Sequence, residues 1–394
     1  MHTPTPPQFP LLDALDHELT ALDAQSLRRR RRTVESACGP RVEVAGETLL
    51  AFASNDYLGL AADPRLAQAA ALAAQRWGVG AGASHLVSGH SRAHEALEEA
   101  LAEFTGNQAA LLFSTGYMAN IAVMPALLGR NGDIFADRLN HASLVDGAQL
   151  ARASLNRYAH VDMGMLAAQL AASTAREKLI VSDAVFSMDG NIAPLAQLLE
   201  LAERHNAWLL LDDAHGFGVL GPQGRGSVAA AGLKSERLIY MGTLGKAAGV
   251  SGAFVAGSRK LIDWLQQRAR PYIFTTAMPP MLAEVLLSAL QLIEAADDRR
   301  AHLTALIAQL RTGLAAQQSR LMPSSTPIQP LLIGDNAATL AVAEALHARQ
   351  LWVPAIRPPT VPVGAARLRI SLSAAHSLAD VDTLCQALSE ILPA

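Results

Sequence analysis

A single lysine stands among small residues in the stretch MGTLGKAAGV, residues 241–250. Lysine is rarely buried without a partner. A lysine held in a partly desolvated turn has a lowered pKa, so its amine can act as a nucleophile and form a Schiff base with a carbonyl compound. Lys246 is therefore the first candidate catalytic residue, and Thr243, three residues earlier, offers a hydroxyl to a phosphate group.

Polar clusters also end two other apolar segments. LLLDDAHGFG ends in Asp212, Asp213 and His215, and VSDAVFSMDG ends in Asp183, Ser187 and Asp189. Ligands of open α/β sheets bind at the carboxyl ends of the strands, so three such clusters predict one site. An aspartate in that site can hold a proton on a pyridine nitrogen, the pairing that makes pyridoxal phosphate an electron sink.

Two further segments suit a flat cofactor that carries a phosphate. STGYMAN, residues 114–120, places Gly116 at a predicted helix start. Free backbone N–H groups and the helix dipole favour a phosphate there. His141, in LNHASL, has a flat ring that can stack on such a cofactor, although a histidine taken alone is more often structural.

The composition excludes several classes of protein. The chain has 394 residues, of which 51% are hydrophobic and 17% charged, with a formal net charge of −3. These values favour a large buried core over disorder and give no global field for nucleic acid. Two cysteines, Cys38 and Cys385, indicate neither a disulfide framework nor a metal site. With no apolar segment long enough for a bilayer and no cleavage signature, a cytoplasmic protein without membrane partners is expected.

The order of the elements predicts an α/β fold. Short apolar segments alternate with helical ones, which indicates a mostly parallel sheet covered on both faces. The predicted strands are RVEV (41–44), TLLAFAS (48–54), AALLF (109–113), DIFAD (133–137), KLIVSD (178–183), AWLLLDD (207–213), RLIYMG (237–242) and GAFVAG (252–257). A helix is predicted over 92–106 with Gly106 as its C-cap. A long helical stretch over 282–319 opens an α+β region.

This pattern predicts three parts of the chain. Residues 1–49 form an N-terminal segment, with a helix that ends in the arginine run 28–32. Residues 50–290 form a large cofactor-binding α/β domain, and residues 291–394 form a small α+β domain.

The motifs, taken in order, resemble those of the α-oxoamine synthases, pyridoxal-phosphate enzymes with the aspartate-aminotransferase fold (fold type I). The two longest are LLLDDAHGFGVLGPQGRGS and TLGKAAGVSGAF, around Asp212 and Lys246. The match extends from SNDYLGL (54–60) through GYMAN, LNHASL, VFSMDG and FTTAMPP to RPPTVPVGAARLRISLSAAH (357–376). It covers nearly the whole chain.

The resemblance implies pyridoxal 5'-phosphate as cofactor. The implied cofactor-binding set is Gly116, Tyr117, His141, Ser187, Asp212, His215, Thr243 and Lys246, with Lys246, His141 and Asp212 as its catalytic members. In this set Lys246 forms the Schiff base and Asp212 pairs with the pyridine nitrogen. His215 and Ser187 contact the phenolic oxygen, His141 stacks on the ring, and the others line the ring and the phosphate.

The resemblance also implies substrates and partners. The implied substrate-binding set is Arg28, Asn55, His141, Arg357, Thr360 and Arg369. Arg369 would hold the carboxylate of the amino acid. Thr275 and Thr276 would reach the phosphate of a partner subunit, since family members are homodimers with shared sites. Within the family, RPPTVP is typical of the biotin-pathway branch, which condenses L-alanine with a pimeloyl thioester carried by coenzyme A or an acyl carrier protein.

Two positions depart from the family pattern. Asp183 stands where glutamate is usual, which bears on its support of the Ser187 loop. Phe217 replaces a small polar residue and is expected to reshape the pocket near His215.

Other readings of the sequence carry less weight. A sister enzyme that joins glycine to acetyl-CoA, and a non-catalytic relative, are the main alternatives. GVGAGA (78–83) matches a dinucleotide fingerprint but follows a helical stretch, which favours a glycine-rich active-site loop. HSRAH (90–94) spaces two histidines one helical turn apart, but lacks the acid of H-E-x-x-H, so no metal site is predicted. The arginine run 28–32 is interpreted as a solvated helix end.

Overall fold

The computed structural model describes residues 10–392 and places thirteen strands there. They are β1 (Arg41–Val44), β2 (Glu47–Ala51), β3 (Ala109–Phe113), β4 (Asp133–Asp137), β5 (Ser154–Tyr158), β6 (Lys178–Asp183), β7 (Trp208–Asp212), β8 (Leu238–Thr243), β9 (Ala253–Gly257), β10 (Ile328–Gly334), β11 (Leu351–Trp352), β12 (Ala355–Ile356) and β13 (Ala366–Ser371).

A seven-stranded sheet with the order β3-β9-β8-β7-β6-β4-β5 forms the centre of the molecule. All its strands are parallel except β9, which is antiparallel to both neighbours. Every residue of β3, β8 and β9 is buried, as expected for strands covered on both faces. The prediction of a mostly parallel sheet is confirmed.

Fourteen α-helices are assigned within residues 10–392. They are α1 (Pro10–Ala24), α2 (Pro64–Trp77), α3 (Arg92–Thr105), α4 (Gly116–Leu127), α5 (Ala142–Ala151), α6 (Met163–Ala172), α7 (Leu195–Arg204), α8 (Ser227–Ala230), α9 (Arg259–Arg268), α10 (Arg270–Ile273), α11 (Pro280–Glu294), α12 (Asp297–Gly313), α13 (Asn336–His347) and α14 (Leu378–Ile391). Gly106 follows α3 in the left-handed conformation, which confirms its prediction as a C-cap. None of these helices combines the length and apolarity needed to cross a membrane.

Two small sheets accompany the large one. The sheet β10-β13-β12 belongs to the C-terminal α+β region, as predicted. The sheet β1-β2-β11 joins the two ends of the chain, because Leu351 pairs with Leu50 in a parallel bridge. The N-terminal strands therefore pack with the C-terminal region, and the boundaries at 49/50 and 290/291 stay predictions.

Two predicted helical stretches differ from the structure in extent, and one strand was not predicted. The helix α1 ends at Ala24, and Ser26 has a φ of +55°, so the arginine run 28–32 is not a helix end. The stretch 282–319 is two helices separated at 295–296, followed by a short 3-10 turn. Strand β5, with the polar sequence SLNRY, was not predicted, because as the outer strand of the sheet it has exposed and half-buried positions.

Candidate active site

Lys246 lies in the hairpin that joins β8 to the antiparallel strand β9. The N–H of Leu244 donates to the carbonyl of Gly252 (2.8 Å), which closes the hairpin. Gly249 adopts a φ of +70°, and a Cβ there would lie 2.5 Å from the backbone nitrogen of Ala61. Glycine is required at this position because the hairpin packs directly against that backbone. The small residues around Lys246 thus allow the hairpin to pack closely against the backbone of Leu60 and Ala61.

The amine of Lys246 lies in a chain of polar contacts with two buried side chains. Its Nζ is 3.0 Å from Nε2 of His215, and Nδ1 of His215 is 2.6 Å from the hydroxyl of Tyr57. Burial lowers the pKa of Lys246 to about 8 against the opposing charge of Asp212. Burial, with the charge of Lys246, also lowers the pKa of His215 well below its usual value. A neutral imidazole therefore faces an amine that is partly deprotonated near neutral pH.

Asp212 is held in one orientation at the end of β7. Its Oδ1 accepts a hydrogen bond from the N–H of Ala214 (3.0 Å), and its Oδ2 accepts one from the side-chain amide of Asn120 (2.7 Å). The same amide donates to the hydroxyl of Ser143 (2.9 Å). A carboxylate has about four acceptor positions, so Asp212 can accept a further bond from a protonated ring nitrogen.

Asp183 supports His141. The backbone N–H of His141 donates to Oδ2 of Asp183 (2.7 Å), while Nδ1 of His141 lies 2.7 Å from the hydroxyl of Ser143. Burial and the charge of Asp212 raise the pKa of Asp183 well above its usual value. Within residues 10–392 Asp183 makes no hydrogen bond to the Ser187 loop, so the shorter acid acts on the histidine and not on that loop.

Gly116 begins α4 directly beside Thr243. A Cβ at Gly116 would lie 3.9 Å from the hydroxyl oxygen of Thr243. The side chain of Thr115 caps the helix by accepting a bond from the N–H of Met118 (3.1 Å). The other N–H groups of the first turn have no partner within the helix. They offer donors for a phosphate. The neighbouring hydroxyl of Thr243 donates to the carbonyl of Gly252 (3.2 Å).

Arg369 is buried and has one guanidinium nitrogen without a partner. Its Nε donates to the carbonyl of Ser187 (2.6 Å), and its Nη1 donates to Oδ1 of Asn55 (3.1 Å) and to the hydroxyl of Ser371 (2.7 Å). Its buried Nη2 makes no hydrogen bond to the described residues. An unpaired charged donor is costly in a buried position, so this nitrogen is available to an anionic ligand.

The loop that carries Ser187 is fixed from two sides. The N–H of Phe186 donates to the carbonyl of Asn191 (3.0 Å), which closes the loop, and Arg367 pairs with the carboxylate of Asp189. The hydroxyl of Ser187 makes no hydrogen bond to any residue between 10 and 392. It is therefore free to contact a ligand.

Four predicted positions lie apart from this network. The exposed Tyr117 donates its hydroxyl to Asp146. Thr276 pairs with Ser84 in an isolated bridge, and Thr275 is half-buried beside it. The ring of Phe217 is buried in the core, with its centroid 5.7 Å from that of Phe104 and 5.3 Å from that of Phe254, and its effect on the pocket near His215 stays a prediction.

Two of the predicted substrate-binding residues, Arg357 and Thr360, lie where the segment after α1 crosses the C-terminal region. Arg357 donates to the carbonyl of Ser26, and the Arg29 guanidinium donates to the hydroxyl of Thr360 (3.1 Å). Arg28 instead pairs with Asp23 (2.6 Å). A groove of about 400 Å³ runs along this junction, lined by Leu27, Arg29, Arg30, Arg32, Trp352, Val353, Ile356, Arg357 and Thr360 among others. Arg28 does not line it.

Three residues of these networks were missed in the sequence. Tyr57 contacts His215, Asn120 orients Asp212, and Arg29 lines the groove in place of Arg28. The first two stand inside the quoted motifs SNDYLGL and GYMAN, so the signal was present. Their contacts cross 158 and 92 residues of chain, a separation that local patterns do not resolve.

The assembled residues fit pyridoxal phosphate. The aldehyde of the cofactor could react with the amine of Lys246, and its pyridine nitrogen could pair with the oriented carboxylate of Asp212. Its phosphate could bind the free N–H groups at the start of α4, beside Thr243. The unpaired nitrogen of Arg369 is not used by any of these contacts.

Comparison with known proteins identifies the family of this chain. Residues 47–388 match the family described as aminotransferase class I and II. An 8-amino-7-oxononanoate synthase of Azoarcus sp. is 63% identical over 381 residues, covering 97% of this chain and 98% of the relative. Among solved structures, a serine palmitoyltransferase from S. paucimobilis with a bound PLP–myriocin aldimine has a TM-score of 0.91 and 29% identity, covering 97% of both chains. An 8-amino-7-oxononanoate synthase from Francisella tularensis has a TM-score of 0.76 and 30% identity, covering 87% of this chain and 96% of that one.

Proposed function

Because the chain belongs to the aminotransferase class I and II family and to its 8-amino-7-oxononanoate synthases, pyridoxal-phosphate-dependent acyltransferases of biotin biosynthesis, we propose that it condenses L-alanine with a pimeloyl thioester. The products are 8-amino-7-oxononanoate, carbon dioxide and the free thiol. The observation that carries the proposal is the contact of the Lys246 amine with His215, close to a buried arginine that has one nitrogen free.

The roles of the site residues follow from their surroundings. When bound, pyridoxal phosphate supplies an electron sink for the carbanion at the Cα of the amino acid. Lys246 takes up the Cα proton as general base, for which a pKa of about 8 is close to the operating pH. Asp212 holds a proton on the ring nitrogen, and His215 with Tyr57 orients the lysine amine. Arg369 binds the carboxylate of alanine.

The positions of the remaining residues support the rest of the assignment. Gly116 and Thr243 bind the phosphate, His141 stacks on the ring with Asp183 fixing its backbone, and the free hydroxyl of Ser187 contacts the phenolic oxygen. We also propose a homodimer in which Thr275 and Thr276 reach the partner's site. The neighbouring Phe274 is 69% exposed, with the guanidinium of Arg270 over its ring (4.9 Å).

Product analysis tests the proposed reaction. The purified protein is mixed with alanine and either pimeloyl-CoA or pimeloyl acyl carrier protein, and the amino ketone is identified by mass spectrometry. We expect 8-amino-7-oxononanoate from at least one of the two donors. Faster turnover of glycine with acetyl-CoA would contradict the proposal and assign the sister activity.

The distal carboxylate of the pimeloyl group provides a test of which arginines bind the acyl chain. A buried carboxylate requires a cationic partner, and a charge-assisted hydrogen bond contributes roughly 1.5–3 kcal/mol, about ten- to a hundred-fold in selectivity. We therefore expect Arg357→Ala and Arg29→Ala to weaken the use of pimeloyl-CoA much more than that of an uncharged acyl-CoA of similar length. Arg28→Ala is the matched control, since Arg28 pairs with Asp23 outside the groove. Equal losses with both donors would refute this placement.

A further inference from the structure

Three histidines that lie outside the lysine network meet at one point. His85, His90 and His94 each present a ring nitrogen, and these three nitrogens lie within 4.8 Å of one another. The sequence pattern showed only the pair His90 and His94. A single π-helical turn over 85–89 brings in the third histidine, and Nδ1 of His85 is 2.9 Å from Nδ1 of His90.

The tautomer of His94 is fixed in the way that metal-ligating histidines usually are. Its Nε2 lies 2.8 Å from the backbone carbonyl of Met278, a contact in which the nitrogen must be the donor. The lone pair therefore sits on Nδ1, which accepts a bond from the N–H of Ser91 (3.0 Å). A ligating histidine typically donates its other nitrogen to a carbonyl or carboxylate. A cation at Nδ1 would replace two contacts of Ser91, from its N–H and from its hydroxyl (3.0 Å each), in the capping box of α3.

Two of the imidazoles are held in place by groups outside the cluster. Nε2 of His94 lies 2.8 Å from the carbonyl of Met278. The stacked ring of Tyr272, with its centroid 4.7 Å from that of His85, holds one of them in place.

The surroundings attract cations. A cavity of about 560 Å³ opens onto His85 and His90, and its lining carries five carboxyl groups and one arginine, namely Glu95, Glu98, Glu99, Glu103, Asp263 and Arg259. Glu98 accepts a hydrogen bond from the backbone N–H of Leu112 (2.9 Å). The excess of acids concentrates cations beside the histidines.

We propose that His85, His90 and His94 form a binding site for one divalent transition-metal ion of the zinc, cobalt or nickel class. Zinc–nitrogen bonds of about 2.0–2.1 Å in a tetrahedral site separate the nitrogens by roughly 3.4 Å, so the His85–His90 pair must open by about half an ångström. The fourth position faces the acidic cavity and takes water or a carboxylate. A bound ion would connect His85 and His90 to His94, whose Nε2 contacts the carbonyl of Met278. Met278 lies shortly after Thr275 and Thr276, the threonines predicted to reach a phosphate.

Metal titration of the holoenzyme tests the proposal. Zn²⁺ is followed by calorimetry in the absence of amino acid, and Co²⁺ by its visible absorption. The cofactor absorption band is recorded in the same samples. We expect one ion per chain, cobalt bands typical of four-coordination and an unchanged cofactor band. An ion bound at the cofactor instead would change that band.

Two histidine variants decide the location. His90 is exposed, so His90→Gln should fold normally. Loss of a residue that only hydrogen-bonds a metal ligand already lowers metal affinity by about tenfold, so loss of the ligand itself in His90→Gln should weaken binding by more than that. His205→Gln, in a histidine that follows α7 and lies outside the cluster, is the matched control and should bind as the wild type does. Absence of a stoichiometric ion in the wild type, or equal affinity of wild type and His90→Gln, would overturn the proposal.

Discussion

Replacing Arg369 by glutamine should separate the binding of alanine from the binding of the acyl donor. The guanidinium has one buried nitrogen without a partner, and the proposed partner is the carboxylate of alanine. A hydrogen bond between charged groups contributes about 1.5–3 kcal/mol. At about 1.36 kcal/mol for each factor of ten, Arg369→Gln should raise the KM for alanine by about 10- to 150-fold. The KM for the acyl thioester should change little.

The same substitution has two further effects that follow from the structure. The half-buried carbonyl of Ser187 loses its donor, which costs about 1–3 kcal/mol of folding free energy. The positive charge of Arg369 also lowers the pKa of Lys246 and of His215, so its removal should raise both. The pH at which the Lys246 amine becomes reactive should therefore move upward in the variant.

Arg367→Gln is the matched control for this experiment. Arg367 lies two residues away on the same strand, is equally buried, and holds the same loop through Asp189 and the carbonyl of Met188, but the unpaired nitrogen belongs to Arg369. Both variants should lose stability in urea unfolding, and only Arg369→Gln should show the selective rise in the KM for alanine by steady-state kinetics. A similar rise in the two variants would show that loop position, not a carboxylate contact, sets the affinity.

Three other predictions concern the lysine and the two neighbouring aspartates. Because the pKa of Lys246 is about 8, the rate at which the apoenzyme combines with pyridoxal phosphate should rise about tenfold per pH unit below 8 and level off above it, measured by absorption; a flat profile from pH 6 to 9 would contradict it. Asp212→Asn should leave the fold intact but slow exchange of the alanine Cα proton with solvent deuterium, and undiminished exchange would refute its role. Asp213→Asn should retain that exchange but lower the free energy of unfolding by about 1–3 kcal/mol, because one amide oxygen cannot accept all the bonds that Ser227 and Tyr240 donate to Asp213. An unchanged chemical denaturation curve would refute this.

Local patterns predicted the elements that bear the chemistry. The apolar strands before Asp183, Asp212 and Thr243 are buried on both faces, so their composition identifies them, and their shared sheet edge follows from the α/β alternation. The glycine at 106 and the helix start at Gly116 follow from local backbone requirements in the same way.

Contacts between distant segments were not accessible to these patterns. Nothing in the sequence YLGL shows that the hydroxyl of Tyr57 meets His215, and nothing in RRRRR shows that Arg29 rather than Arg28 lines the groove. The expectation that Phe217 reshapes the pocket near His215 likewise rested on its position two residues after that histidine. The side chain of Phe217 turns into the aromatic core, which only the packing of Phe104 and Phe254 decides.

The antiparallel insertion of β9 between β8 and β3 sets an order of assembly during synthesis. Asp212 ends β7 and Lys246 follows β8, its neighbour in the sheet, whereas Phe113 at the end of β3 pairs with Ala253, 140 residues later. Such distant pairing forms more slowly than local hairpins. On the ribosome, the edge strand that presents Gly116 must therefore wait for β9, and the lysine end of the site can form before the phosphate end exists. A nascent chain stalled before residue 253 lacks the strand on which β3 docks, so it should not retain the cofactor.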